Sequence, residues 1–316
     1  MNLRYLVMLS LSILSFTNAI ALQKGNSAWL YGKDQKWVAQ IKSYNAHSSN
    51  NQIKYLFPEA GIIHIDSNTQ SLLMTYDPSV TKFYKQNLKN VKIIPDLSFW
   101  VANTNFKTWP VKKYQEAANK IAKKINDDPN ADGVFLDLES YQSTLLPFYR
   151  ALVKDMEGHH KILSVIVRPG QENQEWFQAL GNNAFVVLYG YDLHHSEDNL
   201  LPVSPGIYQQ RLAVAVTHFM QIAKESHIHV MCGIPLIATT YEWEHKITSQ
   251  GKIKSDYHQI DYFKAALKIN DQISSPLYLG FSIWAFVSGK KFQTYLPIGI
   301  SREEWGMLNT RGYSNG

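Results

Sequence analysis

Eight short runs of β-branched, aliphatic and aromatic residues recur along the chain, and stretches with helical spacing follow many of them. The runs cover residues 27–32 (SAWLYG), 52–61 (QIKYLFPEAG), 91–100 (VKIIPDLSFW), 131–140 (ADGVFLDLES), 162–170 (ILSVIVRPG), 184–193 (AFVVLYGYDL), 228–236 (IHVMCGIPL) and 277–286 (LYLGFSIWAF). Near-continuous apolar strands are buried on both faces, which is the habit of a parallel sheet. Eight such units predict a closed (β/α)8 barrel. An open doubly wound sheet would carry a glycine-rich phosphate loop after its first strand, and YGKDQKW offers none. No linker, low-complexity tract or repeat divides the chain, so residues 22–316 read as one domain. The second strand continues into a hairpin-like extension, IIHIDSNTQSLLMTYD. Between the seventh and eighth strands there is room for about one helix and its loops, and none for a large insertion domain.

Residues 1–21 read as a signal peptide. Arg4 is the positive start, Tyr5 to Phe16 the apolar core, and Ala19-Ile20-Ala21 the cleavage site. The apolar core is short for a membrane span, so export with cleavage near Ala21 is the expectation, to a periplasm or to the medium, with no stable membrane insertion afterwards. The formal charge of +5 is spread over scattered lysines, without the basic arm that nucleic-acid binding needs. Cys232 is the only cysteine. No intrachain disulfide is possible, and Cys232 reads as a small core residue rather than a nucleophile.

The fourth strand is unusual in carrying Asp132, Asp137 and Glu139 among apolar residues. An ionised carboxylate is costly to bury unless it is paired, neutralised or put to use. In a barrel the active site lies at the carboxyl ends of the strands. Asp137 and Glu139 fall at such an end, as do Trp100, Tyr191, Asp192 and Trp284, while Tyr241, Glu242, Trp243 and Glu244 fall in the loop after the seventh strand. Phe135, Asp137 and Glu139 alternate and share one face, with Asp137 and Glu139 about 6.6 Å apart along the strand. Glu139 at the rim can donate a proton to a leaving oxygen, with Asp137 one layer deeper. Aromatic rings offer flat faces against which sugar C–H bonds pack. A buried structural carboxylate pair is the competing reading, and Asp132 reads as a strand-start residue. The paired histidines His159-His160, His194-His195 and His227/His229 lack a metal-site pattern, and no G-x-S-x-G elbow is present.

These residues resemble family 18 glycoside hydrolases, the chitinase family. DGVFLDLE is similar to the fourth-strand signature D-G-x-D-x-D-x-E through Asp132, Gly133, Asp137 and Glu139. LYGYDLHH is similar to M-x-Y-D through Tyr191 and Asp192, GIPL to a seventh-strand segment, and FSIWAF to the eighth strand through Trp284. The resemblance implies a retaining hydrolase of β-linked N-acetylglucosamine glycans that needs no metal or organic cofactor. Glu139 would be general acid and then base, and the substrate's own acetamido oxygen the nucleophile. Asp137 and Tyr191 would hold that acetamido group, Asp192 would bind the sugar, and Trp284 would stack under it. Trp100, Tyr241 and Trp243 complete the expected substrate-binding set. Chitin, peptidoglycan and N-glycan cores all contain the required sugar.

The chain departs from the family pattern at several places. Phe135 stands where the first Asp of D-x-D-x-E is usual, which predicts that Asp137 loses a charged neighbour and gains an apolar wall. The third strand reads PDLSFW in place of S-x-G-G, Tyr189 replaces the usual Met, and Ala-Phe-Val follows Trp284 where an Asp is usual. An inactive lectin using the same cleft is therefore the alternative function. A different barrel hydrolase or an interaction protein with accidental motifs is the third.

Overall fold

The computed structural model describes residues 22–48, 51–66, 68–101, 105–138, 142–194, 203–235, 259–287, 304 and 306–308. The strands are β1 (Asn26–Tyr31), β2 (Ile53–Ile65), β3 (Leu72–Tyr76), β4 (Lys92–Ile93), β5 (Asp96–Trp100), β6 (Gly133–Asp137), β7 (Ile162–Val167), β8 (Ala184–Leu188), β9 (His229–Pro235) and β10 (Tyr278–Val287). The helices are α1 (Gln35–His47), α2 (Pro78–Asn87), α3 (Val111–Asn126), α4 (Leu146–Gly158), α5 (Gln174–Ala179), α6 (Pro205–Ser226) and α7 (Gln259–Asp271).

Hydrogen bonding runs β1-β10-β9-β8-β7-β6-β5-β2, and β1 also pairs with β2 in parallel, so the ring closes as a (β/α)8 barrel. Outside the ring, β3 returns antiparallel to the far half of β2. This is the expected hairpin extension. The single long third strand expected over 91–100 is instead two pieces, β4 and β5. Pro95 lies between them, and its missing N–H breaks the ladder. The sixth strand also stops early, at Leu188 rather than residue 193.

Helix starts are marked by their own caps. Asp34 accepts the Lys36 N–H, Asp77 the Ser79 N–H with Pro78 in the first turn, and Ser204 the Ile207 N–H with Pro205 following. Strand alternation sorts the apolar residues into two cores. Leu30, Leu56, Leu97, Leu136, Val165, Val186 and Ile283 face outward to Trp37, Ile121, Leu152 and Phe219 of the helices. Trp29, Tyr55, Phe57, Ile94, Phe135, Ile166, Phe185, Val187 and Met231 fill the barrel interior. At the closing seam the buried hydroxyls of Ser27 and Ser282 bond to each other inside the ring.

Candidate active site

The interior faces of β2, β5 and β6 carry acids toward the barrel mouth. Asp96 stands opposite Glu59 on one side and Phe135 on the other, and Ser98 stands opposite Asp137. Asp96 is 1% exposed, whereas Asp137 and Glu59 are half-buried. Burial, then the negative charges of Asp137 and Glu59, push the Asp96 carboxyl well above the ordinary carboxylate range. The expectation that Phe135 leaves Asp137 without a charged neighbour is thus corrected. The neighbouring strand β5 supplies an acidic one, Asp96. Phe135 itself is fully buried, stacked on Phe57 at 4.6 Å and edge-on to Trp29.

Across the mouth lies an aromatic wall. Arg168, at the end of β7, sits 5.3 Å over the Tyr189 ring. Tyr189 packs on Tyr191 at 4.0 Å, and Tyr191 stacks on Trp284 at 4.5 Å with planes 5° apart. Tyr191 is buried and Trp284 half-buried. The Trp284 indole N–H donates to the Tyr31 hydroxyl on β1. Burial and the charges of Asp96 and Asp137 push the Tyr31 hydroxyl well above its ordinary range, against that hydrogen bond. Tyr31 thus joins the aromatic wall to the acidic one.

Two glycines make room for the stack. A Cβ on Gly233 would meet the Leu188 carbonyl at 2.7 Å and the Tyr191 ring at 3.0 Å, and one on Gly190 would meet the Gly233 carbonyl at 2.6 Å. The glycine of GIPL is therefore a spacer for Tyr191. Tyr191 and Asp192 lie in a 3-10 turn, Tyr191–His194, and do not belong to the strand expected to end with them. The Gly190 N–H bonds back to the Leu188 carbonyl, and the Tyr208 hydroxyl of α6 donates to the Gly190 carbonyl, which fixes the turn.

Among the other expected site residues, Trp100 ends β5 and is 64% exposed. Glu139, Tyr241 and Trp243 lie outside the described residues, and so does the Asp192 side chain. Asp132 lies at the opposite end of the barrel. It pairs with Lys85 at 2.5 Å and Lys92 at 3.5 Å and accepts the Ile93 N–H, a structural role at the strand start. That end also holds a cleft of about 830 Å³ lined by Lys42, Lys54, Lys85, Lys89 and Lys92. Strand beginnings in this fold serve stability, so we place the candidate site at the mouth. Cys232 is buried, and burial pushes its thiol up to about 12. Among the described residues no group of three His, Cys, Asp or Glu side chains is arranged to hold a metal ion. Sequence reasoning missed Asp96, Glu59 and Tyr31. The available signal was alternation, since Ile94, Asp96 and Ser98 share the inward face.

No protein-family model matches the chain, and no curated protein matches it in sequence. Solved structures do match its fold. The GH18 chitinase ChiB from the chitin utilization locus of Flavobacterium johnsoniae aligns with TM-score 0.52 at 14% identity, over 92% of this chain and 94% of that one. A GH113 beta-1,4-mannanase aligns with TM-score 0.56 at 10% identity, over 93% and 100%. An endoglucanase aligns with TM-score 0.50 at 12% identity, over 93% and 97%. At such identities the likeness is one of fold.

Proposed function

We propose that the chain is an exported glycoside hydrolase that cleaves β-linked N-acetylglucosamine glycans, with Glu139 as general acid and base. The observation that carries this reading is the two-sided mouth. A wall of carboxylates on β2, β5 and β6 faces a wall of stacked rings that includes Tyr191 and Trp284. Sugars need both: apolar faces to pack on, and acids for the glycosidic oxygen. The matched barrels named as chitinase, mannanase and endoglucanase agree with that chemistry.

In this reading Glu139, two residues beyond Asp137, protonates the leaving oxygen. The substrate's acetamido oxygen attacks the anomeric carbon and gives an oxazolinium ion. Asp137 and Tyr191 hold the acetamido group, and Glu139 then takes a proton from the water that opens the ring. Trp284 floors the sugar with the face that Tyr191 leaves open. Asp192, Trp100, Tyr241 and Trp243 extend the binding surface. Residues 1–21 act as a cleaved leader, and residues 22–316 form the working domain.

The test is hydrolysis of fluorogenic N-acetylchitooligosaccharides, peptidoglycan fragments and N-glycan cores by the mature protein beside Glu139→Gln. Turnover of one of these, with a loss of about a hundredfold or more in the variant, supports the reading. Binding by both proteins without turnover by either makes the chain a lectin. Neither binding nor turnover on all three removes the substrate class.

A further inference from the structure

Among the described residues Asp96 is the most buried acid at the mouth, and the reading above gives it no task. It projects from β5 on the face shared with Ile94, which packs in the barrel interior. Its register partners are Glu59 on β2 and Phe135 on β6, and Asp137 stands one layer nearer the rim. Its Oδ1 is sealed from solvent and has no hydrogen-bond partner among the described residues, and no cation among them pairs with it. Phe135, fully buried and held by Phe57 and Trp29, closes the β6 side with apolar atoms. Among the described residues, the charged or titratable groups that face Asp96 are therefore Glu59, Asp137 and the Tyr31 hydroxyl.

Two of those three are acids, and the third is a phenol that ionises only to an anion. Strands lie about 4.8 Å apart, too close for like charges to ignore one another in a dry interior. The cheapest arrangement leaves one of the acids neutral. The neutral one is the one with least access to water and no countercharge, which is Asp96.

We propose that Asp96 is a positioning residue of the mouth, a carboxylic acid that keeps its proton at neutral pH and presents a neutral hydrogen-bond donor beneath the Asp137 carboxylate. The consequence for catalysis rests on the glycosidase reading; the protonation does not. As an acid, Asp96 adds no charge to the layer below Asp137, and its O–H is a directed donor in place of a third repelling anion. As an anion, it would push Asp137 away from any group Asp137 has to hold. Asp96 touches no substrate in this arrangement and acts only through Asp137.

Infrared spectroscopy of the full-length protein labelled with ¹³C-carboxyl aspartate tests the assignment directly. A buried protonated aspartate gives a carbonyl band separate from the carboxylate bands. We expect that band at neutral pH in the wild type and its loss in Asp96→Asn, with circular dichroism unchanged. Absence of the band in the wild type, or its survival in Asp96→Asn, overturns the proposal.

Turnover of N-acetylchitooligosaccharides gives the second readout. Asparagine keeps a neutral donor at this position and alanine does not. Asp96→Ala is expected to lower kcat by about ten- to a hundredfold with little change in KM, and Asp96→Asn to restore most of that loss. Equal kcat in the wild type and in both variants overturns the positioning role. If Asp96→Ala does not fold, the band in the wild type and Asp96→Asn decides alone. A band that behaves as expected in a protein that turns over no acetamido glycan supports the protonated Asp96 and removes the glycosidase reading.

Discussion

Tyr191 lies flat against Trp284, with ring centroids 4.5 Å apart and planes 5° from parallel. Each ring covers one face of the other, so Trp284 is a one-sided platform whose back is held by a buried tyrosine. Tyr191 is gripped in turn by Tyr189 at 4.0 Å. Trp284→Ala is expected to destabilise the protein by about 0.5–1.5 kcal/mol beyond the area term, through loss of the aromatic pair. It should also raise KM for N-acetylchitooligosaccharides. Tyr191→Phe preserves the stack and removes only the hydroxyl, so it should destabilise the protein less than Trp284→Ala does. Urea titration and steady-state kinetics on the two variants separate the platform from the hydroxyl.

Phe135 cannot be returned to an acid without penalty. Its ring fills the centre of the barrel against Phe57 and Trp29, so Phe135→Ala should cost about 3–5 kcal/mol. Phe135→Asp should cost more at neutral pH than at acid pH. The introduced carboxyl would have its folded pKa raised, by burial at this fully enclosed position, above an unfolded value of about 3.9. The destabilisation therefore grows as pH rises above about 4 and shrinks as pH falls. Denaturation midpoints of both variants measured across pH check the sign.

Asp128 is a buried acid of the opposite kind. Burial alone would raise its pKa. Hydrogen bonds from Thr81, Tyr76 and Asn130 outweigh that and hold it below the ordinary carboxylate range. Such a depressed group contributes stability above its unfolded pKa of about 3.9, and loses it as pH falls through the folded value. Asp128→Asn should cost roughly 1.5–3 kcal/mol at pH about 7, with the gap to wild type narrowing in strong acid. Equilibrium unfolding of the pair at neutral and acid pH measures it.

Cys232 should be chemically silent in the native state. Burial pushes the thiol up to about 12, against a hydrogen bond with the Asn270 side chain. A thiolate reagent at mildly alkaline pH should therefore modify the folded protein slowly, and label a single site once denaturant is added. Mass spectrometry before and after unfolding counts the adducts.

The barrel was legible because its strands are doubly buried, and β-branched and aromatic runs show that from sequence alone. What sequence reading missed was local or lateral. Pro95 splits the third strand by removing one donor, and Gly190 turns the chain so that Tyr191 leaves the β8 ladder. The acidic wall was harder. Phe135 reads as a missing charge along β6, and only the sideways register of β5 shows Asp96 filling in from the next strand. Registers between strands tens of residues apart leave no periodic mark in a single chain. Trp284 and Tyr191 could each be named from their motifs, but the contact between their rings could not.

The closing seam also sets an order of assembly. β1 hydrogen-bonds to β2 on one side and to β10 on the other, and the buried bond between Ser27 and Ser282 ties partners separated by 255 positions. During synthesis β1 waits with one edge bare until residues 278–287 have emerged. So long a loop is slow to close, and an unpaired strand invites pairing with other chains. A chain truncated ahead of Tyr278 would leave both β1 and β9 as open edges, so it should aggregate rather than persist as a smaller barrel.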